Sequence, residues 1–247
     1  MFVSQSRSSM VRHNLQYPVD LNGKVSSLFL NQFVYLPKWG KNATCACVGS
    51  SPILLDNEHG ELIDSHDIVI RMNDSRIKGY EKHTGTKTSI RMLNGSTYAG
   101  TCDKERFPKG SDESWIYGEE TEGQSFIIKS WNYEEVFIGL NKTGNRNPVN
   151  FLNADFVRYC NEMTNFSNGL KEQGEFHEAT TGFIGIIFAT MFFKKVNLFG
   201  FSFFEEQDWK KYHFYEEVKS YKPGHKFENE KTLVKQFEKE GKLKIYR

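Results

Sequence analysis

Apolar positions along this chain follow two rhythms. Short runs bounded by glycine, serine, asparagine or aspartate predict buried strands at CACVGSS, DIVIRMN, SFIIKSW, EVFIGL and KVNLFGFSFF. Longer stretches with helical spacing lie between them. FLNADFVRYCNEM reads as a strand passing into a helix, and TTGFIGIIFATMFFKK as an apolar helix opened by threonines and closed by lysines. After the Pro223-Gly224 turn a further helix is expected to Glu240, with Phe227, Leu233, Val234 and Phe237 inward and Gly241 as its stop. Strands alternating with helices predict an α/β fold with a largely parallel sheet flanked by helices on both faces. Ligands of such sheets bind at the carboxyl ends of the strands.

Composition narrows the ligand. With 32 basic and 31 acidic residues in 247 the formal charge is +1, so no global field holds a polyanion, and nucleic acid is not an expected partner. An anionic ligand must be gripped by local groups. The hydrophobic fraction of 38% suffices for a core, and no repeat or low-complexity linker divides the chain. The expected organisation is a lead-in over residues 1–40 and one catalytic domain over 41–247. Cys45, Cys47, Cys102 and Cys160 form no CxxC pair and read as free thiols, Cys45 and Cys47 sharing one strand face. No signal-peptide or anchor segment is visible, which predicts a soluble, cytoplasmic chain with no membrane segment. Five Asn-x-Ser/Thr triplets carry little weight in so asparagine-rich a sequence.

Three places carry candidate chemistry. Gly49-Ser50-Ser51 follows the first strand: glycine lets backbone approach a ligand and serine supplies hydroxyls, although a small-residue turn is also an ordinary connection. Asn73 places an amide past the second strand, or simply turns the chain. Thr180 or Thr181 can cap the apolar helix, with Gly182 leaving backbone N–H groups uncovered, either as a plain cap or as a receptor for phosphate. Third, His213 and His225 stand twelve positions apart in YHFYEEVKSYKPGHKFENEKTL, a segment too polar for core. At the threshold of a helix, His225 is disfavoured as imidazolium and suits a general base. His213, beside Tyr212 and Tyr215, can donate to an anion.

In this order the segments resemble the animal-type sialyltransferases. CACVGSSPILLDNEHGELIDSHDIVIRMND with YEKHTGTKTS resembles their large sialylmotif, TTGFIGIIFATMFFKKVNLFGF the small one, HFYE the third, and His225 with four residues before Glu230 the very-small motif. The resemblance implies a Rossmann-like, GT-A-like sialyltransferase fold and an inverting, metal-independent transfer from CMP-sialic acid to a glycan hydroxyl on a glycoprotein or glycolipid. It implies His225 as base and His213 on the phosphate, with no cofactor and no metal ligands. By the same carry-over Gly49, Ser50, Ser51 and Asn73 lie around donor and nucleotide, Thr180, Thr181 and Gly182 open the nucleotide site, Phe201 and Ser202 reach the cytidine, and Glu230 supports the fold around His225. Acceptor choice falls to the lead-in and the region Gly95 to Trp131. The family's usual setting implies the Golgi lumen if this chain is a truncated form.

Three departures qualify the likeness. Ser50 replaces the usual asparagine, Ala179-Thr180 the usual Pro-Ser, and Phe193 the small-motif cysteine that the family links to the position of Cys45, so that disulfide is expected to be absent. Two rivals remain: transfer from another CMP-activated keto sugar of the Kdo kind, and a non-catalytic nucleotide- or glycan-binding module. A methyltransferase or reductase is disfavoured because the glycines lack GxGxxG spacing.

Overall fold

The computed structural model describes residues 36–95, 121–129, 147–165, 177–203, 212–215, 225 and 227–247. Its strands are β1 (Thr44–Val48), β2 (Ile68–Met72), β3 (Ile90–Asn94), β4 (Ser125–Lys129), β5 (Val149–Phe151), β6 (Lys195–Phe199) and β7 (Lys244–Tyr246). They hydrogen-bond in the order β5-β4-β3-β2-β1-β6-β7. The helices are a 3₁₀ turn at Pro52–Asp56, then α1 (Gly60–Asp64), α2 (Glu81–Thr84), α3 (Ala154–Asn165), α4 (Thr181–Phe192) and α5 (Phe227–Lys239). The expected strand EVFIGL lies outside the described residues, as do Cys102 and most of the lead-in and of the Gly95–Trp131 region.

The chain divides into two compact units, Met1–Lys38 with Leu93–Asn153 and Trp39–Met92 with Ala154–Arg247. In the first, β4 pairs with β5 in parallel, Phe126 opposite Val149. In the second, β1 is central: it pairs in parallel with β2 and β6, while β2 continues to β3 and β6 to β7. Strands β1, β2 and β3 are buried along nearly their whole length because both their faces are covered. On one face Ala46, Val48, Val69 and Phe199 pack with Leu54 of the 3₁₀ turn, Ile63 of α1 and Phe214. On the other lies α4, buried on nearly every side, and this explains why its sequence shows no polar stripe. Its Gly185 lets the helix ride close: a Cβ there would lie 2.5 Å from the Met72 methyl, and the Cys47 thiol reaches the Gly185 carbonyl at 4.0 Å.

Two features of this unit were not anticipated. They are β7, which is short, and β3, which carries a buried charge: Arg91 stands in register with Arg71 of β2, both fully buried. Arg71 spends its donors on the α2–β3 connection, Nε to the Thr88 hydroxyl at 2.9 Å and Nη2 to the Thr84 carbonyl at 2.7 Å. Burial, and then Arg91, push its pKa down to about 9, with Asp64 opposing, so it stays charged at neutral pH. Arg91 Nη1 donates to the carbonyls of Asn73 (2.8 Å) and Ser75 (3.2 Å), fastening the turn after β2. Cys45, Cys47 and Cys160 are buried free thiols; burial, then Cys47, push the Cys45 pKa well up.

Candidate active site

Because Val48 lies opposite both Arg71 and Phe199, three parallel strands release the chain at one level. The turns that follow are Gly49-Ser50-Ser51, Asn73-Asp74 and Gly200-Phe201-Ser202. Helices α4 and α5 each feed the next parallel strand, so each runs back against the sheet and begins at this same edge. Two positive helix ends therefore meet the carboxyl edge of the sheet.

The first and third turns are zipped together. The Gly49 N–H donates to the Phe199 carbonyl at 2.8 Å and the Ser51 N–H to the Gly200 carbonyl at 3.1 Å. A Cβ at Gly49 would overlap the Gly200 carbonyl oxygen and lie 3.2 Å from the Phe201 ring. The close approach that requires glycine here is thus to the chain itself. Ser51 caps the 3₁₀ turn, its hydroxyl accepting from the Ile53 N–H at 3.4 Å, and the Ser50 carbonyl accepts from the Phe214 N–H at 3.0 Å. Asn73 turns the chain with φ +48°, its N–H donating to the Met92 carbonyl at 2.8 Å.

Phe201 wedges between two glycines, since a Cβ on Gly182 would also lie 3.1 Å from its ring. Its other neighbour is Phe203, stacked at 6.0 Å between centroids, while Ser202 is buried. Thr180, the N-cap of α4, accepts from the Phe183 N–H at 2.9 Å. Its own N–H and hydroxyl each donate to Glu230 at 2.7 Å. Glu230, on the first turn of α5, is only 2% exposed, so one carboxylate ties the beginnings of both helices together. The Thr180 hydroxyl is fully engaged in this cap. What α4 can offer an anion is instead the backbone N–H of Thr181 and Gly182, which have no acceptor within the helix.

His225 stands just before α5 and bonds through Nδ1 to the Glu178 carbonyl at 2.6 Å. A carbonyl only accepts, so Nδ1 carries the hydrogen and, in the neutral ring, Nε2 is the basic nitrogen. His213 is sandwiched by aromatics: Tyr212 meets it edge-on at 4.3 Å and Tyr215 lies parallel at 5.1 Å, 8° between planes. The Tyr215 hydroxyl donates to Asp74 Oδ1 at 2.6 Å.

The sequence-derived residues thus form a continuous run at one edge. Glu178 links His225 to the α4 cap, Gly182 meets Phe201, Phe201 meets Gly49, and Ser50 meets the segment that carries His213. Three contributions have no signal of their own in the sequence. Glu178 acts through its backbone carbonyl, which has no side-chain signature. Asp74 ends the stretch IVIRMND and Tyr215 lies in HFYE, but nothing in their separate spacing pairs them. Asp64, Ser65 and His66 make a structural turn: Asp64 accepts from the Thr86 and Lys87 N–H groups, and the His66 ring spans from the Leu62 carbonyl to Asn197. Among the described residues no cluster of His, Cys, Asp and Glu could hold a metal ion, and no helix is long and apolar enough to cross a membrane.

Comparison with known proteins places this geometry. The family model for glycosyltransferase family 29 (sialyltransferase) matches residues 3–242. The CMP-N-acetylneuraminate-beta-galactosamide-alpha-2,3-sialyltransferase 1 of Gallus gallus is 29% identical over 172 residues, 68% of this chain and 46% of that protein. Beta-1,6-galactosyltransferase GALT29A of Arabidopsis thaliana is 25% identical over 237 residues, 90% of this chain and 55% of that protein. The chain spans about half the length of these curated relatives. A mammalian sialyltransferase crystallised with Gal-beta-1-3GalNAc-ortho-nitrophenol shares the fold, with a TM-score of 0.59 at 21% identity over 83% of this chain and 69% of that one. With a match running through both histidines and all the turns between them, the chain belongs to glycosyltransferase family 29, the sialyltransferase family.

Proposed function

We propose that this protein transfers sialic acid from CMP-sialic acid to a galactoside hydroxyl, with inversion and without metal. The acceptor oxygen attacks the anomeric carbon while its proton passes to Nε2 of His225. The bond between that carbon and the phosphate oxygen breaks, and CMP leaves with the electron pair. Attack opposite the leaving group inverts the centre. His213 donates an N–H to the phosphate as charge builds there, and the uncovered N–H groups of Thr181 and Gly182, at the positive end of α4, add to it. One such donor is worth about 3 kcal/mol in the transition state. Gly49, Ser50, Ser51, Asn73, Phe201 and Ser202 shape the donor side, and Glu230 holds the two helix starts in place.

The observation that carries this reading is the bond from His225 Nδ1 to the Glu178 carbonyl. It fixes the tautomer that a base needs and turns the ring by a backbone atom that mutation of side chains leaves in place. A galactosyl donor is a second reading, favoured by the Arabidopsis galactosyltransferase, which matches 90% of this chain. A panel of CMP-sialic acid, CMP-Kdo and UDP-galactose with galactoside acceptors in chelator separates them. Acceptor-dependent CMP release from CMP-sialic acid is the expected result; turnover of UDP-galactose alone would replace it with the second reading.

A further inference from the structure

The geometry points to Tyr215 and Asp74 as positioning residues that aim His213 at the leaving phosphate, an inference that rests on the donor chemistry proposed above. The His213 ring is oriented by the two tyrosines that touch it. Tyr212 gives it an edge and Tyr215 a parallel face, 8° between planes at 5.1 Å. Stacking alone fixes the plane of an imidazole but allows it to slide and rotate within that plane. The Tyr215 hydroxyl anchors the face on which the imidazole lies, because it is held at 2.6 Å by Asp74, a side chain only 7% exposed. Asp74 in turn sits on a stiff support: Asn73 is hydrogen-bonded through both its N–H and its carbonyl, the latter by the buried Arg91, and the Ser75 N–H donates to the Met72 carbonyl at 3.1 Å. The ring that meets the phosphate is thereby referenced to the end of β2, the strand whose following residue, Asn73, faces the donor in the same proposal. A hydroxyl-to-carboxyl bond this short is directional, which suits a positioning role.

Misalignment of a transition-state donor lowers kcat more than it raises KM. Tyr215→Phe keeps the stack and loses the bond, and kcat is expected to fall about tenfold with donor KM within about threefold, as for part of one oxyanion-type donor. Asp74→Ala gives the same loss, the double variant no more than either single one, and Asp74→Asn, which keeps an acceptor for the phenol, recovers kcat to within about threefold of the native enzyme. In a His213→Ala background Tyr215→Phe has no further effect. The ring resonances of His213, followed by NMR in the free protein, move in Asp74→Ala and hold in Asp74→Asn. Should transfer from CMP-sialic acid be absent in the native protein, the donor reading falls while the NMR comparison still decides the inference. Unmoved His213 resonances in Asp74→Ala, a full loss in Asp74→Asn, or an undiminished effect of Tyr215→Phe without His213 would each overturn it.

Discussion

A glycine next to a strand end is usually credited to a ligand, yet at Gly49 the neighbour is the protein. The overlap of a would-be Cβ with the Gly200 carbonyl is with backbone, which cannot swing aside as a side chain can. Gly49→Ala is expected to destabilise by about 1–3 kcal/mol, read as a lower urea midpoint with unchanged m-value. Unaltered stability would mean that the two turns are not zipped as described. The same scale shows how much of the site the sequence reveals. His213, His225, Thr180 and Glu230 were legible because each is a side chain with a chemical signature at a telling spacing. Glu178 was not, because its contribution is a carbonyl that every residue has. The pairing of Asp74 with Tyr215 spans 141 positions and arises only when parallel strands bring their ends together.

At the scale of elements, the meeting of α4 and α5 at Glu230 ties the two helix starts on which the proposed phosphate grip depends. Thr180→Ala removes the N-cap and one of the two donors to a buried carboxylate, for an expected loss of about 2–4 kcal/mol, whereas Thr180→Ser keeps both bonds and stays within about 1 kcal/mol. Urea unfolding of the pair checks this; equal losses would show that the methyl group, and not the hydroxyl, matters. The connection from α1 to β3 offers a pH test. Burial opposes ionisation of Asp64, but N–H donors from Lys87 and Thr86, the Thr86 hydroxyl and the Arg71 charge together hold its carboxyl below the ordinary range. The folded state therefore binds this proton less readily than the unfolded one. Its contribution is complete above the unfolded carboxyl pKa, near 4, and is lost as pH falls through the lower folded value. Asp64→Asn should accordingly be destabilised relative to the native protein at pH 6, with the gap narrowing toward pH 3. A gap independent of pH would contradict the assignment.

Element legibility followed length and polarity. The strands β1, β2, β4 and β6 and the helices α3, α4 and α5 announce themselves by mostly apolar runs or by a stripe, and the inward Val234 of α5 is buried with Phe227, Leu233 and Phe237 half-buried beside it. Strand β3 is hidden because Arg91 and Asn94 leave only Met92 and Leu93 as adjacent apolar residues, whereas β2 opens on Ile68, Val69 and Ile70 before its own buried Arg71. β7 was hidden by its brevity and by Lys244, whose ammonium lies over the Tyr246 ring at 4.3 Å. Such residues are fixed by tertiary partners, which local pattern does not carry.

For the whole molecule, the near balance of charge and the edge geometry belong together. A chain of net charge +1 does not attract an anionic ligand by its overall field, so in the proposed reading the nucleotide sugar is gripped by a few groups with fixed directions: two helix starts, a zipped pair of turns and two imidazoles. Parallel topology brings the ends of β1, β2 and β6 and the starts of α4 and α5 to one edge of the sheet, and the chain belongs to family 29. The central claim is that Nε2 of His225 takes the acceptor's proton. The measurement that bears on it most directly is acceptor-dependent CMP release from CMP-sialic acid, in EDTA, by the native protein and by His225→Ala, alongside calorimetric titration of both with CMP. The expected result is transfer that ignores the chelator and falls at least about 100-fold in His225→Ala, with CMP affinity within about threefold. Native transfer rates in His225→Ala would contradict it.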